Sequence, residues 1–190
     1  MKRLQDRVVV VTGAGSGIGR ALALGFAAEG SKVVLADIEE GALGESADLV
    51  GDAGAEALPI RTDVTDSDSV QALAEATVER FGGVHVVCNN AGVGGGGLIK
   101  DQQLVDWRWV IDVNLWGVIH GIHHFLPLLR QAEEAHIMST ASWPAWWRPL
   151  VSAPTTPRSS PWSPPWRRSS TRWWRIPTRT WACPSCARAW

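Results

Sequence analysis

Short, wholly apolar runs alternate with longer segments of helical spacing over the first 142 residues. "VVVV" at residues 8–11 and "VVLA" at 33–36 are apolar at every position, which is typical of strands buried on both faces of a parallel sheet. "QALAEATVERFGG" has its apolar residues on one stripe and ends in glycine, which predicts a helix. This alternation predicts an α/β fold with a doubly wound parallel sheet, and ligands should bind at the carboxyl ends of its strands.

The pattern predicts five strands, after which the regular spacing stops. The strands are expected in "RVVVVT", "KVVLAD", "AEALPIR", "VHVVCNNAG" and "HIMSTAS". Asp66 or Ser67 should cap the helix that follows the third strand. One long helix, "QLVDWRWVIDVNLWGVIHGIHHFLPLLR", is expected before the fifth strand, with Trp107, Trp109 and Trp116 packed against neighbouring elements. The sheet is therefore predicted to be truncated after about its fifth strand.

The turn after the first strand, "TGAGSGIG" at residues 12–19, has the glycines of a phosphate-binding loop. Gly13 would permit the tight turn, Gly17 the approach of a pyrophosphate, and Gly19 the close packing of helix against strand. The phosphates would then lie at the positive end of the following helix. A purely structural turn is the alternative, but the strand before it and the helix after it favour a Rossmann-like dinucleotide site.

Asp37 ends the second strand, where a carboxylate can accept hydrogen bonds from both hydroxyls of an adenosine ribose. The same charge would repel a 2'-phosphate, so NAD is favoured over NADP. The alternative role for Asp37 is the N-cap of the next helix. Asp63 follows the third strand and is expected to meet the adenine edge.

Three motifs, in matching order and separation, resemble those of the short-chain dehydrogenase/reductase family. They are "TGAGSGIG", "NNAG" at residues 89–92 and "DVNLWGVIHG", which contains Asn114. The resemblance covers residues 1–142 and implies an oxidoreductase that transfers a hydride between a nicotinamide and an alcohol or carbonyl carbon. It further implies that Asn114 orders a water in the proton relay and that Ser142 polarises the carbonyl, although Ser142 is also readable as an ordinary strand-end hydroxyl. The residues expected to bind the cofactor are Gly13, Ser16, Gly17, Ile18, Gly19, Asp37, Ile38, Asp63, Val64, Asn90, Ala91 and Gly92.

The tyrosine and lysine that the family uses for proton transfer are missing. The resemblance places tyrosine 13 residues and lysine 17 residues after the serine, but Thr155 and Ser159 stand there and the chain has no Tyr. A phenol with a pKa of about 10 needs a nearby cation to act as a base at neutral pH. Neither a Thr hydroxyl nor a Ser side chain can replace that pair. The chain is therefore expected to be catalytically inactive.

Composition changes abruptly at residue 143. Residues 1–142 carry 19 acidic and 10 basic side chains, a net charge of -9, whereas residues 143–190 carry eight Arg and no acid, a net charge of +8. The second segment also has nine Trp and nine Pro but no Gly. Because proline removes backbone donors, this tail is expected to be disordered and to form neither helix nor sheet ladder. Domain organisation is thus predicted as an NAD(P)-binding domain at 1–142 and a disordered tail at 143–190.

The genetic code offers a reason for the tail. Trp has the single codon TGG, and reading "WPAWWR" from one base upstream permits the residues M-A-G-L-V-A, which the family commonly places after its serine. The same shift permits tyrosine at position 155 and lysine at position 159. The tail is therefore interpreted as an out-of-frame translation that follows a base lost near codon 142. The alternative is an Arg/Trp tail for nucleic acid, in which guanidinium groups contact phosphates and indoles stack on bases.

The remaining features favour few other functions. The Cys183–Cys186 pair lacks the partners of a zinc site, and His120, His123 and His124 are expected to form a polar helix edge, so no metal is predicted. No apolar run approaches the roughly 20 residues of a membrane span, and no signal-peptide pattern is present. A cytoplasmic location, a small-molecule alcohol or carbonyl substrate and no membrane partner are expected. Nucleic-acid binding is disfavoured, and a homo-oligomer of the family type is doubtful for a chain with this tail.

Overall fold

The computed structural model describes residues 4–95 and 99–141, together with the backbone of residues 172–175. Its sheet has the order β3-β2-β1-β4-β5-β6, in which the first five strands are parallel. These strands are β1 (Val8–Thr12), β2 (Lys32–Asp37), β3 (Ala57–Arg61), β4 (Val86–Asn89) and β5 (His136–Ser139). The predicted α/β class and the five parallel strands are confirmed. Among the described helices, none has both the length and the apolar character that crossing a bilayer requires.

The core consists of two apolar layers, one on each face of the sheet. Val9 and Val11 of β1 face one layer, whereas Val8 and Val10 face the other, as the alternation of side chains along a strand demands. Helices α1 (Gly17–Ala28) and α2 (Glu40–Asp52) cover the first layer. The second is covered by α3 (Ser67–Phe81) and α5 (Gly117–Leu129). Wholly apolar strands thus belong to a sheet that is covered on both sides.

Helix α3 begins and ends with the capping groups that its sequence contains. The Asp66 side chain accepts a hydrogen bond from the Asp68 backbone N–H at 3.0 Å, so Asp66, rather than Ser67, is the N-cap. Gly82 ends the helix with φ +78°, a left-handed conformation that suits glycine.

The predicted long helix is helical over its whole length but not uniform. A 3₁₀ turn at Ile99–Asp101 precedes α4 (Leu104–Ile111), and a π-helical turn at Asp112–Trp116 joins α4 to α5. Packing of its tryptophans was wrongly predicted, because Trp107, Trp109 and Trp116 are 40%, 51% and 48% exposed. They are among nine large apolar residues that this segment exposes, which together are called the α4–α5 face. Its other members are Leu104, Val105, Ile111, Leu115, Ile119 and Ile122.

A short sixth strand departs from the expectation for the tail. Strand β6 (Arg172–Arg175) pairs antiparallel with β5, and Arg172 lies opposite Ser139. The prediction that the tail forms no sheet ladder is therefore wrong at these four residues. The physical reason is local: residues 166–176 contain no proline, unlike the segments on either side, so backbone donors are present where the ladder forms.

Helix α5 packs closely against the end of β4 at Gly121. A Cβ on Gly121 would overlap the Asn89 side-chain amide, which is buried at the end of β4. Both polar atoms of that amide lack a hydrogen-bond partner among the described residues. The absence of a side chain at Gly121 thus determines how near α5 can lie to β4.

We expect Gly121→Ala to destabilise the fold by about 1–3 kcal/mol, because the added methyl must displace either Asn89 or the helix. Gly25→Ala in α1 is the matched control, since a Cβ there meets no atom within 4 Å. That control should gain about 0.5–1 kcal/mol from helix propensity. Urea unfolding of the two variants measures the difference, and equal stability would contradict the packing described for Gly121.

Candidate functional site

The glycine-rich turn between β1 and α1 lies against the end of β4. Gly13 has φ +66°, and a Cβ there would lie 2.8 Å from the Ala91 Cα. A Cβ on Gly19 would overlap the Gly13 carbonyl oxygen. These two glycines therefore allow strand, turn and helix to pack together, as the sequence predicted. Gly17 has φ +52°, but a Cβ there would meet open space, so its requirement for glycine comes from backbone conformation.

The N-terminus of α1 is open to a ligand. Ser16 is the N-cap, but its side chain makes no capping hydrogen bond. Ser16, Gly17 and Ile18 are exposed, and no side chain of the described residues caps the amides of this first turn. This geometry suits an anion better than a closed, self-capped helix would.

Asp37 lies beside the same turn at the end of β2. Its Oδ2 accepts a hydrogen bond from the Gly15 N–H at 2.8 Å, and its Oδ1 accepts one from the Glu39 N–H at 3.1 Å. Helix α2 begins at Glu40 with Glu39 as its N-cap, so Asp37 is not the N-cap of α2. A carboxylate has about four acceptor positions, so two remain for other donors. Ile38, the next residue, is 46% exposed.

Thr12 joins the first turn to the residues that follow β4. Its hydroxyl oxygen accepts hydrogen bonds from the Asn90 and Ala91 backbone N–H groups, both at 3.0 Å. The Asn90 side chain in turn donates from Nδ2 to the Thr12 carbonyl at 3.1 Å and accepts from the Thr140 hydroxyl at 3.1 Å. Through these hydrogen bonds the Asn90 side chain links the carboxyl ends of β1, β4 and β5.

Asn114 lies in the π-helical turn and holds the loop after β4. Its Oδ1 accepts from the Val93 N–H and its Nδ2 donates to the Val93 carbonyl, both at 2.8 Å. A Cβ on Gly92 would lie 3.3 Å from the Asn114 Oδ1. The asparagine side chain therefore donates and accepts one hydrogen bond each with the Val93 backbone, as a neighbouring strand would. The π-helical turn places this side chain within reach of the loop.

Asp63 and Val64 follow β3 in a tight turn. The Asp63 Oδ1 accepts from the Thr65 N–H at 2.9 Å and from the Thr65 hydroxyl at 2.7 Å. Val64 is 9% exposed, and a Cβ on Gly117 would lie 2.9 Å from its Cγ2. The side chains of both residues are thus already held by the protein.

Two histidines of α5 contact the turn after β3 and the first residue of α3. His120 Nδ1 lies 2.9 Å from the Val64 carbonyl, and His124 Nε2 lies 2.9 Å from the Ser67 hydroxyl. Burial, followed by the effect of His123 and His120, lowers the pKa of His124. Within residues 4–95 and 99–141, no three His, Cys, Asp or Glu side chains meet as a metal ion would require.

The structure groups the predicted cofactor residues at the carboxyl ends of the strands. Gly13 meets Asn90 and Ala91, Asp37 meets the turn through Gly15, and Gly92 meets Asn114. Ser142 lies outside the described residues. Sequence reasoning gave no role to Thr12, Arg20 and Ser46, which make side-chain contacts to this turn or to the residues after β4. Thr12 opens the quoted glycine motif, so only it had a recognisable signal.

Comparison with known proteins agrees with this geometry. The family model for short chain dehydrogenase matches residues 7–147. The chain belongs to the short-chain dehydrogenase family. It is 44% identical over 142 residues to the 1-deoxy-11-beta-hydroxypentalenate dehydrogenase of Streptomyces arenae, covering 73% of this chain and 50% of that protein. It is 35% identical over 143 residues to a CLA biosynthesis dehydrogenase/reductase of Lactiplantibacillus plantarum, covering 75% and 50%.

A solved short-chain dehydrogenase of Burkholderia phymatum, in complex with NAD, resembles the fold with a TM-score of 0.72. It is 50% identical in sequence, and the match covers 75% of this chain and 51% of that one. The chain spans about half the length of the curated relatives it matches. Family membership thus rests on the matched part of this chain, which contains the glycine-rich turn, Asn90 and Asn114.

We expect Thr12→Val to destabilise this short-chain dehydrogenase fold by about 1–3 kcal/mol, because two partly buried backbone N–H groups lose their acceptor. Thr12→Ser retains the hydroxyl and should cost about 0.8 kcal/mol for the lost methyl. Urea unfolding distinguishes the variants. A Thr12→Val protein as stable as Thr12→Ser would show that the hydroxyl does not hold the end of β4.

Proposed function

We propose that residues 1–142 form the dinucleotide-binding part of an oxidoreductase that transfers a hydride between NAD and a small alcohol or carbonyl substrate. The observation that carries the proposal is the pairing of an uncapped α1 N-terminus with Asp37, which is held next to the glycine-rich turn by Gly15. Pyrophosphate would bind the amides of Ser16, Gly17 and Ile18, and the adenosine ribose would bind Asp37. The NAD-bound Burkholderia relative supports this assignment.

The residues present fit NAD better than NADP. Asp37 is partly exposed and accepts two hydrogen bonds from the described part of the chain, which leaves acceptor positions for two ribose hydroxyls. A 2'-phosphate would bring like charge against that carboxylate. The turn at Asp63 and Val64 is the proposed border of the adenine pocket, with Ile38 on its exposed side.

Hydride transfer also requires groups that hold the substrate and remove its proton, in addition to the dinucleotide site. NAD, when bound, supplies the hydride acceptor, and the protein must hold the substrate and remove its hydroxyl proton. We assign to Asn114 the ordering of the proton relay through its hold on the Val93 backbone, and to Ser142 the polarisation of the substrate oxygen. The base and its activating cation are absent from the expected positions, since Thr155 and Ser159 stand there.

We therefore propose that this chain binds the dinucleotide without catalysing hydride transfer, and that residues 143–190 are an out-of-frame translation. The proposal rests on the complete absence of Tyr from the chain and on the tyrosine and lysine that the shifted frame permits. An active oxidoreductase would then be encoded by the gene with its frame restored.

In calorimetry we expect the chain to bind NAD at least about tenfold more tightly than NADP, since a hydrogen bond to a charged group contributes about 1.5–3 kcal/mol. Asp37→Asn removes the charge at constant size and should reduce that preference about tenfold. Asp48→Asn, at an exposed position of α2, is the control and should leave it unchanged. Tighter binding of NADP by the unaltered chain would contradict the assignment of Asp37.

We expect no NADH formation from secondary alcohols by this chain, because loss of general acid–base catalysis costs about 10²- to 10⁴-fold in rate. Inserting one base near codon 142 should restore activity, and Ser142→Ala in the restored chain should abolish it. Thr155→Tyr combined with Ser159→Lys should remain inactive, since only two residues of the shifted segment are replaced. Turnover by the unaltered chain, or an inactive restored chain that binds NAD, would contradict the frame assignment.

A further inference from the structure

The peptide groups on either side of Gly15, at the middle of the glycine-rich turn, are fixed by side chains. The Gly15 N–H donates to Asp37 Oδ2 at 2.8 Å. The Gly15 carbonyl accepts from the Arg20 guanidinium and from the Ser46 hydroxyl, the latter at 3.3 Å. Gly15 also has little space, because a Cβ there would lie 2.8 Å from the same Asp37 oxygen. A shift of this residue would therefore move the Asp37 carboxylate.

Arg20 connects the turn to α2. Besides Gly15, its guanidinium donates from Nε to the Ser46 hydroxyl at 2.8 Å, and from Nη2 to the Ala42 carbonyl at 3.3 Å and to Glu45 Oε2 at 3.1 Å. Its side chain is only 27% exposed. A planar, multiply bonded guanidinium is well suited to hold such a junction, since its donors are fixed relative to one another.

The positive charge of Arg20 also bears on whether a 2'-phosphate could bind near Asp37. A cation next to a ribose-binding carboxylate could attract a 2'-phosphate, yet the Arg20 charge is paired with Glu45 and its donors already bond two carbonyls and a hydroxyl. The guanidinium is therefore an internal anchor, and Asp37 remains the charged group that faces the ribose.

We propose that Arg20 is a positioning residue for the adenosine half of the dinucleotide site, acting through Gly15 on Asp37. The role rests on the proposed function, since it assumes that Asp37 binds the ribose. Ser46 assists by accepting a hydrogen bond from the guanidinium, while its single hydroxyl proton is shared between the Ala42 carbonyl at 3.0 Å and the Gly15 carbonyl at 3.3 Å. The preference for NAD over NADP then depends on Arg20 as well as on Asp37.

The test compares Arg20→Met, which retains the aliphatic stem, with Arg80→Met. Arg80 is the matched control, because it also pairs with a glutamate, Glu56, but lies on α3. Calorimetry with NAD, ADP-ribose and NADP is done where every variant is fully folded. Arg20→Met should weaken NAD and ADP-ribose equally, by about tenfold, and reduce the NAD preference. Arg20→Lys should recover part of the loss, whereas Arg80→Met should bind as the unaltered chain does.

A measurement made without ligand tests the positioning role of Arg20 separately from the proposed function. Hydrogen exchange of the Gly15 N–H should accelerate about tenfold in Arg20→Met and stay unchanged in Arg80→Met. Failure of the unaltered chain to bind either dinucleotide would overturn the proposed function, while the exchange result would still test the link from Arg20 to Gly15. Unchanged NAD binding or unchanged exchange in Arg20→Met would overturn the positioning role. If Arg20→Met does not fold, Ser46→Ala must show the same changes at smaller size, and its failure to do so would also overturn the role.

Discussion

The close approach of two backbone segments, the turn after β1 and the chain leaving β4, is the constraint on which the site depends. Gly13 brings the two within van der Waals contact, and the Thr12 hydroxyl bonds both amides that follow β4. A parallel sheet places these ends side by side, but only a residue without Cβ lets them meet. The start of α1, the Asp37 carboxylate bonded to Gly15 and the loop held by Asn114 lie next to these two segments in sequence or through hydrogen bonds.

The residues proposed to bind the dinucleotide precede Asn114 and the other residues that the family resemblance assigns to proton transfer. Every described residue assigned to the dinucleotide lies between β1 and the loop after β4, on a core that is covered by helices on both faces. The serine, and the positions where the family places its tyrosine and lysine, come after residue 141. The two groups are separate in sequence, and the first group makes hydrogen bonds that join residues within 12–114.

The α4–α5 face is exposed, although it is rich in large apolar residues. Helix α5 buries Gly117, Gly121, Phe125 and Leu129 against the sheet and its neighbours, while its other side presents large apolar residues to solvent. Exposed apolar surface of this kind is usually covered in a stable protein. The short antiparallel strand β6 protects the edge of β5, but edge pairing covers backbone groups rather than a helix face.

Much of the fold was predictable from sequence because its signals are local. Apolar runs predicted the strands, glycines predicted the turn, and Gly82 predicted the end of α3, while the sequence leaves its N-cap open between Asp66 and Ser67. Asp37 was recognisable because it ends a strand. What the tertiary structure decided involves pairs far apart in the chain: Thr12 with Asn90, Arg20 with Ser46, and Asn114 with Val93. The exposure of three tryptophans and the proximity of Gly121 to Asn89 were decided in the same way. Periodicity shows which residues share a face of one element. The partner of each side chain depends instead on how separate elements pack, and the spacing of residues along the chain does not record the distance between two elements.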